Sequence, residues 1–418
     1  MKKLIFAGIA CLGLLSGACS DIDDSQDNNK FVICPGFGDE PWKDAQPLAK
    51  IASANIDKSN GFASSLFKAV YEGEKGNVCV SPISVFSTFA MMANGDDGES
   101  RDEILDILGY SNDPGGLHEL DIYCNALMTE VPMLNGDTQC GFTNSIWYHP
   151  DLKLLPKFAS DIRLIFGGSL FPIYLGDESG KSKLNEFVSH YTNGMIPEFL
   201  SNPLDVRLAF LNTTYFKGKW KNEFNKNLTR KGIFSNIDGS KSEASFMNLN
   251  DDLIYCETDG IRGVCLPYSG DRYTMTLLQP KDEKGFDNML NSLDTKTLKD
   301  IESSVSHQEI ILKMPKFETE INISMIDYLK QIGFDKVCTR GIHQATDETL
   351  FLTQFRHAVK IIVDEEGTEG AAASLAGMDN AAGPGFEPIS MVFDRPFVYI
   401  IRDTISDAIL FIGTVTSL

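Results

Sequence analysis

Glu365-Glu-Gly-Thr-Glu-Gly-Ala-Ala-Ala-Ser-Leu-Ala-Gly-Met-Asp-Asn-Ala-Ala-Gly-Pro-Gly-Phe-Glu-Pro388 interrupts a run of apolar segments near the end of the chain. Just upstream, His357-Ala-Val-Lys-Ile-Ile-Val-Asp364 is rich in β-branched residues and reads as a buried strand. Just downstream, Ile389-Ser-Met-Val-Phe393 and Pro396-Phe-Val-Tyr-Ile-Ile401 read the same way. Between them the bulk vanishes: Gly370 to Ala373 are all Gly or Ala, and Ser374 is scarcely larger. A solvated linker carries more charge or proline, and a packed strand carries more volume. Small residues led by one Thr fit a loop that starts exposed and later becomes a buried strand. The period of two supports this. One face holds Thr368, Gly370, Ala372, Ser374, Ala376 and Met378, none of them charged. Glu369 and Asp379 both fall on the other face, with Ala371, Ala373, Leu375 and Gly377. The competing reading is a low-complexity surface loop.

The whole chain has 418 residues, 43% of them hydrophobic, enough for a sizeable core in one large domain or two to three smaller ones. No period of 20–50 residues recurs, which excludes repeat folds. The formal net charge is −21, with no basic stripe to meet phosphates, so a nucleic-acid partner is excluded and the charge reads as solubility. Lys2 and Lys3 precede an apolar run from Leu4 to Leu15, too short to span a bilayer, and Ser16-Gly-Ala-Cys19 follows. This start resembles a bacterial lipobox, which implies cleavage after residue 18 and lipid on Cys19, although Leu15 stands one place early and plain signal cleavage is the alternative. Ser20-Asp-Ile-Asp-Asp24 resembles a surface-export signal of Gram-negative lipoproteins, or else is a solvated tether. The expected organisation is a signal peptide at 1–18, an acidic tether at 19–45 and one domain at 46–418. The expected place is the outer membrane, surface-exposed, with a secreted or periplasmic protein as the alternative.

Seven cysteines remain after the signal and Cys19: Cys34, Cys79, Cys124, Cys140, Cys256, Cys265 and Cys338. No C-x-x-C occurs, so zinc and redox motifs find no support, and no cofactor or metal is expected. Cys79 and Cys265 lie in apolar strand-like runs and read as small buried hydrophobes. There is no G-x-S-x-G elbow and no H-E-x-x-H. Gly176-Asp-Glu-Ser-Gly-Lys-Ser182 has its glycines one residue too close for a phosphate loop and carries two acids, so it reads as a helix start capped by Asp177 or Ser179.

Along the chain, Phe62, Leu66, Phe67 and Val70 share a helical face. Asn77-Val-Cys-Val-Ser-Pro-Ile-Ser84 reads as a short strand, with Pro82 opening an apolar, central helix that Gly95 ends. Glu99–Leu108 reads as an amphipathic helix, and Gly141-Phe-Thr-Asn-Ser-Ile-Trp-Tyr148 as a strand. Leu208-Ala-Phe-Leu-Asn-Thr-Thr-Tyr-Phe-Lys-Gly-Lys-Trp220 reads as a long strand with a turn at Gly218. Gly263–Tyr268 and Tyr273–Leu278 form a hairpin around Ser269-Gly-Asp. Met314–Phe317 reads as a strand end, and Met325–Phe334 as a helix.

These motifs, in this order from about Asn60 to Leu418, resemble the serpin family. Glu365–Ser374 resembles the hinge of an inhibitory reactive-centre loop, with Gly370 where the family has Ala, and Asp394-Arg-Pro-Phe397 and Ile409-Leu-Phe-Ile-Gly413 match its C-terminal signatures. Leu184–Ile196 resembles the helix that crosses the main sheet. The resemblance implies an α+β fold with a large, mostly antiparallel central sheet, further sheets, about eight to nine helices and an exposed reactive-centre loop. It implies a non-enzymatic protein, a monomer, that traps a serine protease covalently as a suicide substrate. The hinge would be Glu365, Gly367, Thr368, Gly370, Ala372 and Ser374. Family spacing from Gly367 puts the reactive bond at Ala381–Ala382, or after Asn380 if the loop is one shorter. Small residues there imply elastase-like or subtilisin-like targets. Ser81, Ser84, Asn212 and His357 would form the shutter where the central strands part; Trp220, Lys316 and Glu365 would form the breach where insertion begins. A non-inhibitory carrier or chaperone is the alternative, and a lipid-anchored hydrolase a more distant one.

Overall fold

A computed structural model describes residues 41–135, 137–282, 285–368 and 388–418. Its ten α-helices exceed the eight to nine expected, because one-turn pieces count separately. They are α1 (Ser53–Glu74), α2 (Pro82–Ala93), α3 (Glu99–Leu108), α4 (Pro114–Glu130), α5 (Pro156–Phe166), α6 (Glu178–Tyr191), α7 (Phe286–Ser292), α8 (Thr295–Ser303), α9 (Ile326–Gln331) and α10 (Lys336–Thr339). The strands are β1 (Cys79–Val80), β2 (Met133–Asn135), β3 (Thr138–Tyr148), β4 (Ser169–Phe171), β5 (Leu208–Lys219), β6 (Arg230–Ser235), β7 (Lys241–Glu257) and β8 (Ile261–Pro267). They continue with β9 (Tyr273–Pro280), β10 (Ser306–Pro315), β11 (Phe317–Ser324), β12 (Arg356–Val363), β13 (Gly367–Thr368), β14 (Ile389–Val392), β15 (Phe397–Asp403) and β16 (Ile409–Val415).

All twelve residues of α2 are buried, which explains a helix apolar on every side. Pro82 at its start costs nothing, since the first helical N–H has no partner within the helix. On α1, Phe62, Leu66, Phe67 and Val70 turn together into the same core. Asp177 caps α6, its carboxylate accepting from the Gly180 amide at 2.7 Å. That helix stops at Tyr191 rather than reaching Ile196, because Asn193 and Gly194 take left-handed conformations at φ 51° and 79°. At the other end of the described chain, Trp42 packs edge-on against His118 and Leu48 is buried, its amide bonded to Glu130 at 2.7 Å.

The strands make two sheets. One runs β1-β16-β15-β9-β8-β7-β10-β14, with β6 also on β7. The other runs β11-β12-β13-β5-β3-β2, with β4 parallel to β3 and every other pair antiparallel. In this second sheet β5 pairs with β3 over eleven positions and β12 with β11 over eight. Among the described residues no ladder joins β5 to β12 directly; β13 is the strand between them. Because β13 is antiparallel to both neighbours, β5 and β12 run parallel to one another. Gly218 makes no turn. The strand continues through it, with Thr138 on one side and Thr368 on the other.

Candidate functional site

The chain leaves β12 at Val363, turns over Asp364-Glu365-Glu366 and re-enters the sheet as β13. The turn is closed by its own atoms. The Asp364 amide donates to the Gly367 carbonyl at 2.9 Å, and its carboxylate accepts from the Glu366 amide at 2.9 Å. Three further bonds fix it to the segment after β5. The Trp220 amide donates to the Glu366 carbonyl at 2.8 Å and the Trp220 indole to the Asp364 carbonyl at 2.9 Å. The Phe224 amide donates to the Glu365 carbonyl at 2.9 Å.

Both glutamates of the turn are buried, at 5% and 4% exposure. A buried carboxylate needs partners. Glu365 accepts from the Lys316 ammonium at 2.7 Å and from the Thr229 hydroxyl at 2.8 Å, and Lys226 pairs with Glu366. Burial alone raises the pKa of Glu365; the bonds from Lys316 and Thr229 outweigh it and leave the carboxyl below its usual value. The bond to Glu366 raises the Lys226 ammonium in turn. The breach expected from sequence, Trp220, Lys316 and Glu365, is thus one contiguous cluster. Sequence reading missed Thr229 in this role, together with Lys226, Glu366 and Tyr268.

Tyr268 ties the cluster to β13. Its ring lies flat on Trp220, with centroids 4.6 Å apart, and its hydroxyl meets the Thr368 hydroxyl at 2.7 Å. Thr368 is 1% exposed and its backbone pairs with Val363 and Gly218. Two glycines make this fit. A Cβ on Gly367 would lie 2.0 Å from the Gly218 carbonyl oxygen, and one on Gly218 would lie 2.6 Å from the Tyr268 ring. Of the expected hinge, Gly367 and Thr368 are therefore seated in the sheet, and Glu365 is buried in the turn that leads to them. Gly370, Ala372 and Ser374 lie outside the described residues, as do the bond at Ala381–Ala382, its alternative Asn380, and Cys19.

The expected shutter residues fall into two groups. His357, at the start of β12, accepts the Ser81 amide on Nε2 at 3.0 Å. Burial pushes its pKa down to about 4, so this nitrogen stays an acceptor. Asn212 of β5 turns elsewhere, donating to Ser87 Oγ at 3.2 Å and to Asn144 Oδ1 at 2.7 Å. Ser84 contributes its carbonyl, which accepts from Ser87 at 3.1 Å and Thr88 at 2.9 Å. Ser81 Oγ has no hydrogen-bond partner. A cavity of about 340 Å³ separates the groups, lined by Leu211 and Asn212 of β5, His357 of β12, and Ser84 and Thr88 of α2. Asn144 and Ser87 were legible only as polar residues in apolar runs; their partners lie on other elements.

The family model described as Serpin (serine protease inhibitor) matches residues 57–418. Iripin-2 of Ixodes ricinus is 29% identical over 384 residues, covering 90% of this chain and 95% of the relative. Intracellular coagulation inhibitor 1 of Tachypleus tridentatus is 30% identical over 404 residues, covering 91% of this chain and 94% of the relative. Among solved structures, the native state of the thermophilic serpin Tengpin superposes with a TM-score of 0.78 at 25% identity, covering 90% of this chain and 97% of its own. Thyroxine-binding globulin complexed with thyroxine superposes at 0.76 with 20% identity, covering 87% and 98%, a likeness of fold alone. With a re-entrant strand between β5 and β12 and a family match over nearly the whole chain, this protein belongs to the serpin family.

Proposed function

We propose that this serpin is a single-use trap for serine proteases. The carrying observation is β13, which already occupies the position between β5 and β12 as far as Thr368. Each of those strands has its outer ladder complete, so the edges they turn towards each other are the place for a further strand. Extension of β13 would convert a parallel gap into antiparallel pairing. Protease attack on the loop forms an acyl-enzyme at Ala381, with Ala382 leaving, or at Asn380 in the shorter reading. The freed loop then zips down from Thr368. The fourteen residues from Thr368 to Ala381, extended at about 3.3 Å each, span roughly 45 Å, which carries the tethered enzyme across the molecule. Entry must outpace deacylation, so the inserting face must be small and uncharged. Gly370, Ala372 and Ser374 meet that demand, Gly370 at an ordering cost of about 0.5–1 kcal/mol relative to Ala.

Small residues at the bond favour elastase-like or subtilisin-like targets; no Lys or Arg lies between Lys360 and Arg395 to suit a trypsin-like pocket. Lipid on Cys19 and a tether through about residue 45 would hold the monomer at the outer membrane, facing outward, with secreted or periplasmic release as the other outcome. Incubation with a small protease panel and separation in SDS is the test. A covalent adduct with an elastase-like enzyme, and a cut between Met378 and Gly383, are expected. Simple cleavage without adduct favours the carrier reading instead.

A further inference from the structure

None of the six described cysteines is in a disulfide, but two of them meet. Cys256 lies near the end of β7 and Cys265 within β8. The register sets Cys265 opposite Ile254 and Cys256 opposite Gly263. Cys256 and Ile254 are two apart on one strand, so Cys256 and Cys265 stand on the same face as diagonal neighbours. The two thiols lie close enough for each to shift the ionisation of the other. Gly263 makes the approach possible: a Cβ there would lie 2.9 Å from Cys256 Sγ, in the space the sulfur leans across.

The two thiols are not equivalent. Cys256 is 1% exposed, whereas Cys265 is half-buried and also meets the Thr276 hydroxyl at 3.3 Å. Hydrogen bonding from Cys256 lowers the Cys265 thiol pKa against the effect of burial, helped by Thr276 and the nearby Arg402 charge. The same contact, with burial, raises that of Cys256. A partly exposed thiol beside a fully buried one is the arrangement of an attacking and a resolving cysteine.

We propose that Cys256 and Cys265 are a redox-active pair that closes reversibly to a disulfide across β7 and β8, by exchange with a small disulfide of the glutathione type. The Cys265 thiolate attacks one sulfur of glutathione disulfide, forming a mixed disulfide and expelling one glutathione thiolate. The Cys256 sulfur then displaces the second glutathione, and its proton passes to that leaving group. Two protein thiols are oxidised and one glutathione disulfide is reduced to two thiols. Diagonal Cα atoms across an antiparallel pair lie about 7–8 Å apart, while a disulfide tolerates up to about 6.8 Å. Closure must therefore draw the strands together, and a bond under such tension reopens readily with reductant.

The full chain is incubated with glutathione disulfide, denatured in an alkylating agent and digested without reduction. A peptide linking Cys256 to Cys265, lost after brief treatment with reduced glutathione, is the expected result. In C256S the mixed disulfide on Cys265 should persist, whereas the parent chain resolves it. Alkylation of both residues after oxidation, or linkage of either one to Cys34 or another cysteine instead, overturns the proposal. So does a Cys256–Cys265 bond that survives reduced glutathione, since the pair would then be a permanent staple.

Discussion

Acid should loosen the junction between α2 and β12, and the loss should belong to His357. Its Nε2 accepts the Ser81 amide at 3.0 Å in a fully buried setting, and protonation would remove that acceptor and bury a charge. The folded pKa stands at about 4 against 6.5 for the free side chain. Between those values the unfolded chain binds the proton and the folded chain does not, so stability is complete above pH 6.5 and falls as the pH drops towards 4. At 1.36 kcal/mol per pKa unit the full loss is about 3 kcal/mol, of which about 2 kcal/mol is gone by pH 5. Asp121 works in the opposite sense. Burial raises its folded pKa to about 7, so its contribution grows as the pH falls from 7 towards 3.8. A difference measurement removes this and other shared carboxylate effects. His357→Gln keeps an acceptor at the reach of Nε2 and does not titrate. Urea midpoints of both chains would be followed by circular dichroism at pH 7.5, 6 and 5. The parent should lose about 2 kcal/mol more than the variant between pH 7.5 and 5. Parallel losses in the two proteins would refute the argument.

Thr368→Arg should abolish the SDS-stable adduct while leaving cleavage intact, since a charge cannot replace a hydroxyl that is 1% exposed between two ladders; densitometry of adduct and cleaved product decides it. Gly367→Ala puts a methyl 2.0 Å from the Gly218 carbonyl and should raise the number of inhibitor molecules consumed per protease trapped, read by active-site titration. Lys316→Met leaves Glu365 buried with only Thr229 as a side-chain partner and should cost about 1–3 kcal/mol in denaturant, with the loss shrinking in acid as the carboxyl protonates.

Much of the fold was legible because the signals are local. The helix at Pro82 announces itself by proline after a short apolar strand, and α3 runs over the very residues its amphipathic pattern predicted. The hairpin of β8 and β9 was marked by Ser269-Gly-Asp, where Gly270 and Asp271 take positive φ. What escaped depends on partners distant in sequence. Gly218 suggests a turn because glycine in a strand often marks one; its actual cause is the Tyr268 and Phe216 rings, which stand 2.6 and 3.1 Å from where a Cβ would lie. Asn212 was grouped with His357, but bonds to Asn144 and Ser87 instead. Cys265 was read as a plain hydrophobe from its apolar run, and only strand register reveals Cys256 beside it.

The flat stack of Trp220 on Tyr268 has an optical consequence. The chain holds three tryptophans, and this one is coupled through a single phenol to Thr368 of β13. If β13 extends as proposed, emission from that indole should change with it, and the protein would carry its own gauge of how far the sheet has closed. Stopped-flow traces at that wavelength would time the motion without any attached dye.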